Sequence, residues 1–213
     1  MSISSKESLE KYLSKKSALI IVDMQNDFCH EKGACAICSG KSNPYVDIKV
    51  PNIQRMIDSC HELDVPVIFI KTTHQDETDS AAWIMREDGA KARICRRDSW
   101  GTEFYGVVPV DKDIIVNKIR YSAFIGTRLN TVLKTLEVKT IIMSGISTNV
   151  CVESTARDGF MMDYNVVMLD DACITYSEEA HKASLDNIRR HFGAVSDVDT
   201  VSGLIADLRL VLC

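Results

Sequence analysis

Apolar residues fall into short continuous runs separated by stretches of helical periodicity. ALIIVD (18–23), VPVIFIKT (65–72), DIIVNK (113–118), KTIIMSG (139–145) and NVVMLDD (165–171) are rich in Val and Ile and apolar on both faces. That pattern predicts strands of a parallel sheet covered on both sides. GAVSDV (193–198) predicts a sixth, shorter strand. Between the runs, residues 51–63 place Ile53, Met56, Ile57 and Cys60 on one helical face, with Pro51 expected in the first turn. Residues 126–136, 150–163 and 178–191 follow the same rule. Thr175 and Glu178 have the spacing of a capping box for the last of these. Near the start, Leu9, Tyr12 and Leu13 share one face of a short amphipathic helix, with lysines opposite.

Strand, helix, strand in alternation predicts a doubly wound, Rossmann-like α/β fold, with a mostly parallel six-stranded sheet and helices on both faces. No linker, repeat or low-complexity tract interrupts it, so residues 1–213 are expected to form one domain. Two segments, 24–50 and 73–112, are too long for simple connections. Both leave C-terminal strand ends, where open α/β sheets bind ligands.

Composition narrows the function classes. A formal charge of −5 gives no reason to expect nucleic acid or an anionic membrane as a partner. No apolar run reaches the roughly 20 residues of a membrane span. The opening MSISSKESLEKYLSKKS has neither the apolar region nor the cleavage site of a secretory signal. The 8 cysteines (29, 35, 38, 60, 95, 151, 173 and 213) are therefore read as reduced thiols of a cytoplasmic protein rather than a disulfide framework.

Three reactive side chains sit at strand ends. Asp23 closes the first run, Lys118 closes the third, and Cys151 follows the fourth at the start of a helix. Each has a plain alternative: a helix cap or metal ligand for Asp23, a solvated charge for Lys118, a packed thiol for Cys151. Together they suit nucleophilic catalysis. A thiol at a helix N-terminus is expected to favour its thiolate, and a nearby lysine strengthens that preference. A carboxylate in an apolar setting can hold or take a proton near neutral pH. Asp27, four residues on, is the other candidate carboxylate, expected to be a solvated or capping residue. No GxSxG elbow, HExxH pair, GxGxxG or P-loop competes. The Cys35-x-x-Cys38 pair lacks a second CxxC and weakly suggests a metal or redox site.

VDMQNDF around Asp23, NKIRYSAF around Lys118 and SGISTNVCVESTARDGF around Cys151 resemble the three signature segments of the isochorismatase-like cysteine hydrolases, over about residues 17–200. The Arg120–Phe124 and Thr148–Thr155 runs are similar to the ureidoacrylate amidohydrolase and N-carbamoylsarcosine amidase branch. The resemblance implies an Asp23–Lys118–Cys151 triad and a cis peptide at Ile146–Ser147. It implies an oxyanion hole from the N–H groups of Ser147 and Cys151. It also implies a homo-oligomer, for which a tetramer is expected. Activity would be hydrolysis of a C–N bond in a small ureido, carbamoyl or amide substrate through a thioester, releasing ammonia. Trp83, Tyr121 and Phe124 are candidate pocket walls, and Gln25, Asn26, Arg120 and Asn149 candidate substrate hydrogen-bonders. The nicotinamidases of this family hold a metal through an Asp-x-His pair and further histidines after the second strand. Here KTTHQDETDS offers His74 without that pair, so neither metal nor other cofactor is expected. Isochorismatase-type or nicotinamidase-type hydrolysis, or a non-catalytic binding role, are the alternatives.

Overall fold

The computed structural model describes residues 6–85 and 94–212. The first five residues of the opening segment, positions 86–93 of the second long segment and Cys213 lie outside the described residues. The strands are β1 (Ser17–Val22), β2 (Val67–Thr72), β3 (Ile114–Lys118), β4 (Thr140–Ile146), β5 (Asn165–Ile174) and β6 (Ala194–Ser196). They pair in parallel throughout, in the order β3-β2-β1-β4-β5-β6. The helices are α1 (Lys6–Leu13), α2 (Asn26–Cys29), α3 (Ala34–Ser39), α4 (Val46–Glu62), α5 (Ala81–Ile84), α6 (Leu129–Thr135), α7 (Glu153–Met161), α8 (Glu178–His191) and α9 (Val198–Leu212).

Alternation along the strands divides the interior into two cores. Leu19, Ile21, Phe69 and Ile142 face α1, α4 and α9, together with Leu9, Ile53, Met56 and Val201. Ala18, Ile20, Val22, Ile68 and Met143 face α6, α7 and α8, together with Leu129, Val152 and Ile188. Each fully buried aliphatic side chain contributes roughly 1.5–3 kcal/mol, so both faces are strongly held. Strand order reverses direction between β1 and β4, and the crevice beyond their C-terminal ends is the topological switch point at which such sheets bind ligands.

Several local expectations need correction. Pro51 lies inside α4, not in its first turn, because that helix begins at Val46. Ser177, not Thr175, caps α8, with its hydroxyl accepting from the Ala180 N–H. Thr175 instead donates to Asn149 Oδ1 at 2.7 Å. The segment expected to be helical over 150–163 opens as a wide π turn, Thr148–Val152, and becomes α-helical at Glu153. β5 continues past Asp171 to Ile174 through a bulge, opposite Met143 to Gly145 of β4. The bulge frees two carboxylates from the ladder. Asp170 reaches His181, and Asp171 accepts the Val198 N–H at the start of α9.

Gly145 lets β4 run close to β1 next to the crevice. Its φ is +110°, and a Cβ there would lie 2.1 Å from the Val22 carbonyl oxygen. Gly145→Ala is expected to cost about 3 kcal/mol or more, a fall in Tm of roughly 6–12 °C. Thermal unfolding checks this, and an unchanged Tm would contradict it.

Candidate active site

Four neighbouring strands each deliver one polar group to the same edge of the sheet. Asp23 follows β1, Thr72 ends β2, Lys118 ends β3, and Cys151 sits in the π turn after β4. Parallel register places Thr72 directly beside Lys118. Asp23 has a φ of +52°, a left-handed conformation that Asp tolerates better than most residues. The residue turns its carboxylate across the neighbouring strand ends.

The resulting cluster is dry. Asp23 is 0% exposed, Lys118 2% and Cys151 6%. Lys118 Nζ lies 2.7 Å from Asp23 Oδ2. Its hydrogen bonds go to Thr72 Oγ1 at 2.8 Å, the Arg120 carbonyl at 3.0 Å and Cys151 Sγ at 3.6 Å. The Thr72 hydroxyl in turn donates a hydrogen bond to Asp23 Oδ1 at 2.9 Å. Asp23 Oδ2 therefore holds a charge contact but, among the described residues, no aligned hydrogen-bond donor. It is left as the acceptor beside the thiol.

Electrostatics here overturn one expectation. Cys151 does not favour its thiolate: its pKa is pushed up to about 12. Burial is the chief cause. Lys118 works against it, and the adjacent Asp23 carboxylate reinforces it. The start of α7, two residues away, does not reverse this. Lys118 keeps its proton. Burial alone would lower its pKa, but the charge of Asp23 and the neighbouring Cys151 raise it overall. At rest the site pairs a carboxylate with a protonated thiol and an ammonium group.

The cluster opens into a cavity of about 120 Å³, lined in part by Phe28, Cys35, His74, Trp83, Tyr121 and Ser147. Trp83 lies against Tyr121 with ring centroids 5.3 Å apart, and Arg120 sits 5.2 Å over the Trp83 ring. Trp83 and Tyr121, expected as walls, and Arg120, expected as a hydrogen-bonder, thus line the space. Four other candidates are committed elsewhere and are not among its described lining residues. Gln25 is fully buried and binds the backbone of Thr72 and Thr102 through both ends of its amide. Asn26 donates to the Trp100 carbonyl at 2.9 Å. Phe124 stacks on Tyr164 within the second core. Asn149 is exposed and accepts from Thr175.

Gln25 and Asn26, with Asp27, stitch the two long segments together. Asp27 accepts from the Ala34 N–H at 3.0 Å and the Cys95 N–H at 2.6 Å. Gly101 packs onto this carboxylate so closely that a Cβ would lie 2.0 Å from it. The capping role expected of Asp27 is present at α3, but its larger effect is to join the segments. Cys35 faces the cavity, whereas Cys38, one turn along α3, is exposed. Among the described residues no group of three or more His, Cys, Asp or Glu side chains is arranged to hold a metal ion.

Thr72, Thr155 and the backbone contacts of Gln25 were not anticipated. Thr72 had a readable signal, as the polar residue ending an apolar run. For Thr155, the bond to the Cys151 carbonyl at 2.7 Å is local, four residues back along the same turn, whereas the bond from the Ala123 N–H at 3.0 Å depends on tertiary contact and left no sequence signal.

The Ile146–Ser147 peptide is cis. The isochorismatase domain profile matches residues 17–200. The ureidoacrylate amidohydrolase RutB of Acinetobacter baylyi is 31% identical, covering 87% of this chain and 82% of that protein. RutB of Yersinia enterocolitica is 32% identical, with 89% of each covered. A cysteine hydrolase from Pseudomonas syringae pv. phaseolicola superposes with a TM-score of 0.83 at 30% identity, covering 91% of this chain and 93% of that one.

His74 gives a stability test. It is buried beside Trp83, with ring centroids 5.0 Å apart. Burial lowers its pKa to about 4, against a smaller opposing pull from Asp79. The folded state therefore prefers neutral His74, relative to an unfolded value of about 6.5. That contribution is complete above about pH 6.5 and is lost as pH falls toward 4. Urea midpoints should fall more steeply over that window in the wild type than in His74→Gln; parallel curves would contradict the assignment.

Proposed function

The chain belongs to the isochorismatase family, and from that premise we propose that it is a cysteine-dependent amidohydrolase cleaving a C–N bond of a small ureido, carbamoyl or amide compound. The observation that carries the proposal is the buried contact set around Lys118, which joins Asp23 at 2.7 Å and Cys151 Sγ at 3.6 Å beside a small cavity. The names of the RutB relatives support the substrate class. A cavity of about 120 Å³ suits a small substrate, well below the several hundred cubic ångströms of drug-sized sites.

In this reading the carbonyl carbon of the substrate sits against Cys151 Sγ. Asp23 takes the thiol proton as the sulfur attacks, so no free thiolate accumulates. Coupling is required because a thiol with a pKa near 12 is protonated at neutral pH. The oxyanion of the tetrahedral intermediate is held by the N–H groups of Ser147 and Cys151. Asp23 returns its proton to the leaving nitrogen, the C–N bond breaks, and ammonia or an amine departs. Water, deprotonated by Asp23, then attacks the thioester. The C–S bond breaks and the sulfur recovers a proton. From a terminal ureido group the acyl product is a carbamate, which decomposes unaided. Lys118 pairs with the Asp23 carboxylate and, with Thr72, fixes its orientation. Trp83 and Tyr121 wall the substrate, and Arg120 supplies a positive charge at the cavity.

The same reading makes the protein a cytoplasmic homo-oligomer, expected to be a tetramer. Cys29, Cys60, Cys95 and Cys173 remain buried thiols, which suits a reducing compartment. Among the described residues no helix is long and apolar enough to cross a membrane.

Ammonia release from ureidoacrylate, N-carbamoylsarcosine, biuret, nicotinamide and simple amides tests the proposal, run on wild type, Cys151→Ala and Asp23→Asn. Wild type is expected to release ammonia from ureido compounds, and Cys151→Ala to release none. Asp23→Asn should lose about 10³-fold in kcat, even though removing the carboxylate lowers the Cys151 pKa. Near-normal turnover in Asp23→Asn would eliminate the general-base role. Equal release by wild type and Cys151→Ala would eliminate the thioester route.

A further inference from the structure

The π turn that carries Cys151 is gripped by side chains from three directions. Thr155 Oγ1 donates to the Cys151 carbonyl at 2.7 Å from below. Thr175, just past β5, donates to Asn149 Oδ1 at 2.7 Å. The third grip comes from α8. His181 Nδ1 lies 3.0 Å from the hydroxyl of Thr148, the first residue of the turn. One helical turn further, Ser184 Oγ bonds Glu153 Oε2 at 2.6 Å and lies 3.3 Å from the Thr148 carbonyl. Thr148 is fully buried, three residues before the nucleophile and next to Ser147.

Proton inventory sets the direction of the His181 contact. His181 Nε2 lies 2.8 Å from Asp170 Oδ1, on the β5 bulge, and 3.2 Å from Lys49 Nζ. Lys49 already donates to the carbonyls of Asp170 and Cys173 at 2.7 and 2.8 Å. The shorter carboxylate contact requires a proton on Nε2. A neutral ring then presents a lone pair at Nδ1, and the Thr148 hydroxyl must donate to it. Burial, helped by the charge of Lys49, lowers the His181 pKa and keeps the ring neutral. The hydroxyl proton of Thr148 is thereby committed and its rotamer locked.

We propose that Asp170, His181 and Thr148 form a positioning relay that fixes the π turn, and with it the Cys151 thiol and the N–H groups of Ser147 and Cys151, in reactive geometry. His181 acts through Thr148 and touches no reacting atom. The relay rests on the amidohydrolase reading for its kinetic consequence, but not for its structural one. Its outer end, Lys49, Asp170 and His181, lines an open cavity of about 670 Å³ that shares no lining residue with the cavity at Cys151, so the turn is braced from outside that cavity.

The test uses the intact enzyme and two readouts, kcat and KM for ammonia release and the rate of Cys151 alkylation by iodoacetamide followed by peptide mass. Thr148→Val keeps side-chain shape and removes the hydroxyl; His181→Phe removes the acceptor. Each should lower kcat about tenfold, as misplaced reacting groups do, with KM within twofold. Each should also change the alkylation rate of Cys151 by the same factor as the other. Thr148→Ser should restore wild-type values. The double variant should be no worse than either single, because both remove one contact. Multiplying effects in the double variant, or a lower Tm with unchanged kcat and alkylation rate, would overturn the relay. If wild type releases no ammonia from any substrate, the amidohydrolase reading fails, while alkylation still decides the relay.

Discussion

A buried ion pair with incomplete hydrogen bonding organises this protein. Lys118 and Asp23 meet at 2.7 Å in a region closed to water. Two such charges survive burial only when paired and hydrogen-bonded, and removing one partner leaves an uncompensated charge costing about 3–5 kcal/mol. The surrounding groups meet that demand. Thr72 links ammonium to carboxylate, and the Arg120 carbonyl takes a further ammonium proton. Asp23 Oδ2 is left as an acceptor without an aligned donor among the described residues. In a purely structural pair this would be a defect. Beside the thiol it suits the proton transfer proposed above.

The sheet explains why the pair can be built. β3, β2, β1 and β4 are adjacent, so their C-terminal ends deliver Lys118, Thr72, Asp23 and the Cys151 turn in spatial order. Parallel ladders hold Thr72 beside Lys118, and Gly145 allows β4 to approach β1 closely. The long segments that roof the cavity depend on this edge too. Gln25 ties the backbone of Thr72 to that of Thr102, and Asp27 ties α3 to Cys95. The run from Asp23 to Asp27 therefore serves the ion pair with its first residue and the roof with its last three.

Much of this was legible in the sequence. The strand runs and their alternation with helical periods identified the sheet, because buried parallel strands leave an unambiguous apolar signature. Asp23 and Lys118 stood out as polar residues closing apolar runs, and Cys151 as a thiol at a helix start just past the fourth run. Of the candidate substrate contacts, Trp83, Arg120 and Tyr121 line the cavity. Gln25 and Asn26 bond backbone carbonyls, Phe124 stacks on Tyr164 and Asn149 pairs with Thr175, contacts that sequence proximity to a reactive residue does not reveal. The thiol was misjudged for a related reason. Proximity to a helix start argues for a thiolate, but complete burial beside a carboxylate outweighs a terminus two residues away. The 178–191 helix has its expected bounds and only its cap differs, Ser177 in place of Thr175, while the helix expected over 150–163 starts later because a π turn holds Thr148–Val152.

The central claim is that burial, reinforced by the Asp23 carboxylate, keeps Cys151 a thiol at rest, and that in the proposed reaction its proton passes directly to Asp23 during attack. Difference spectroscopy between wild type and Cys151→Ser in the absence of substrate addresses it most directly, reading the S–H stretch in the infrared and thiolate absorbance in the ultraviolet. The account predicts an S–H band assignable to Cys151 and no thiolate absorbance at neutral pH. Thiolate absorbance that disappears in Cys151→Ser, with no S–H band, would contradict it.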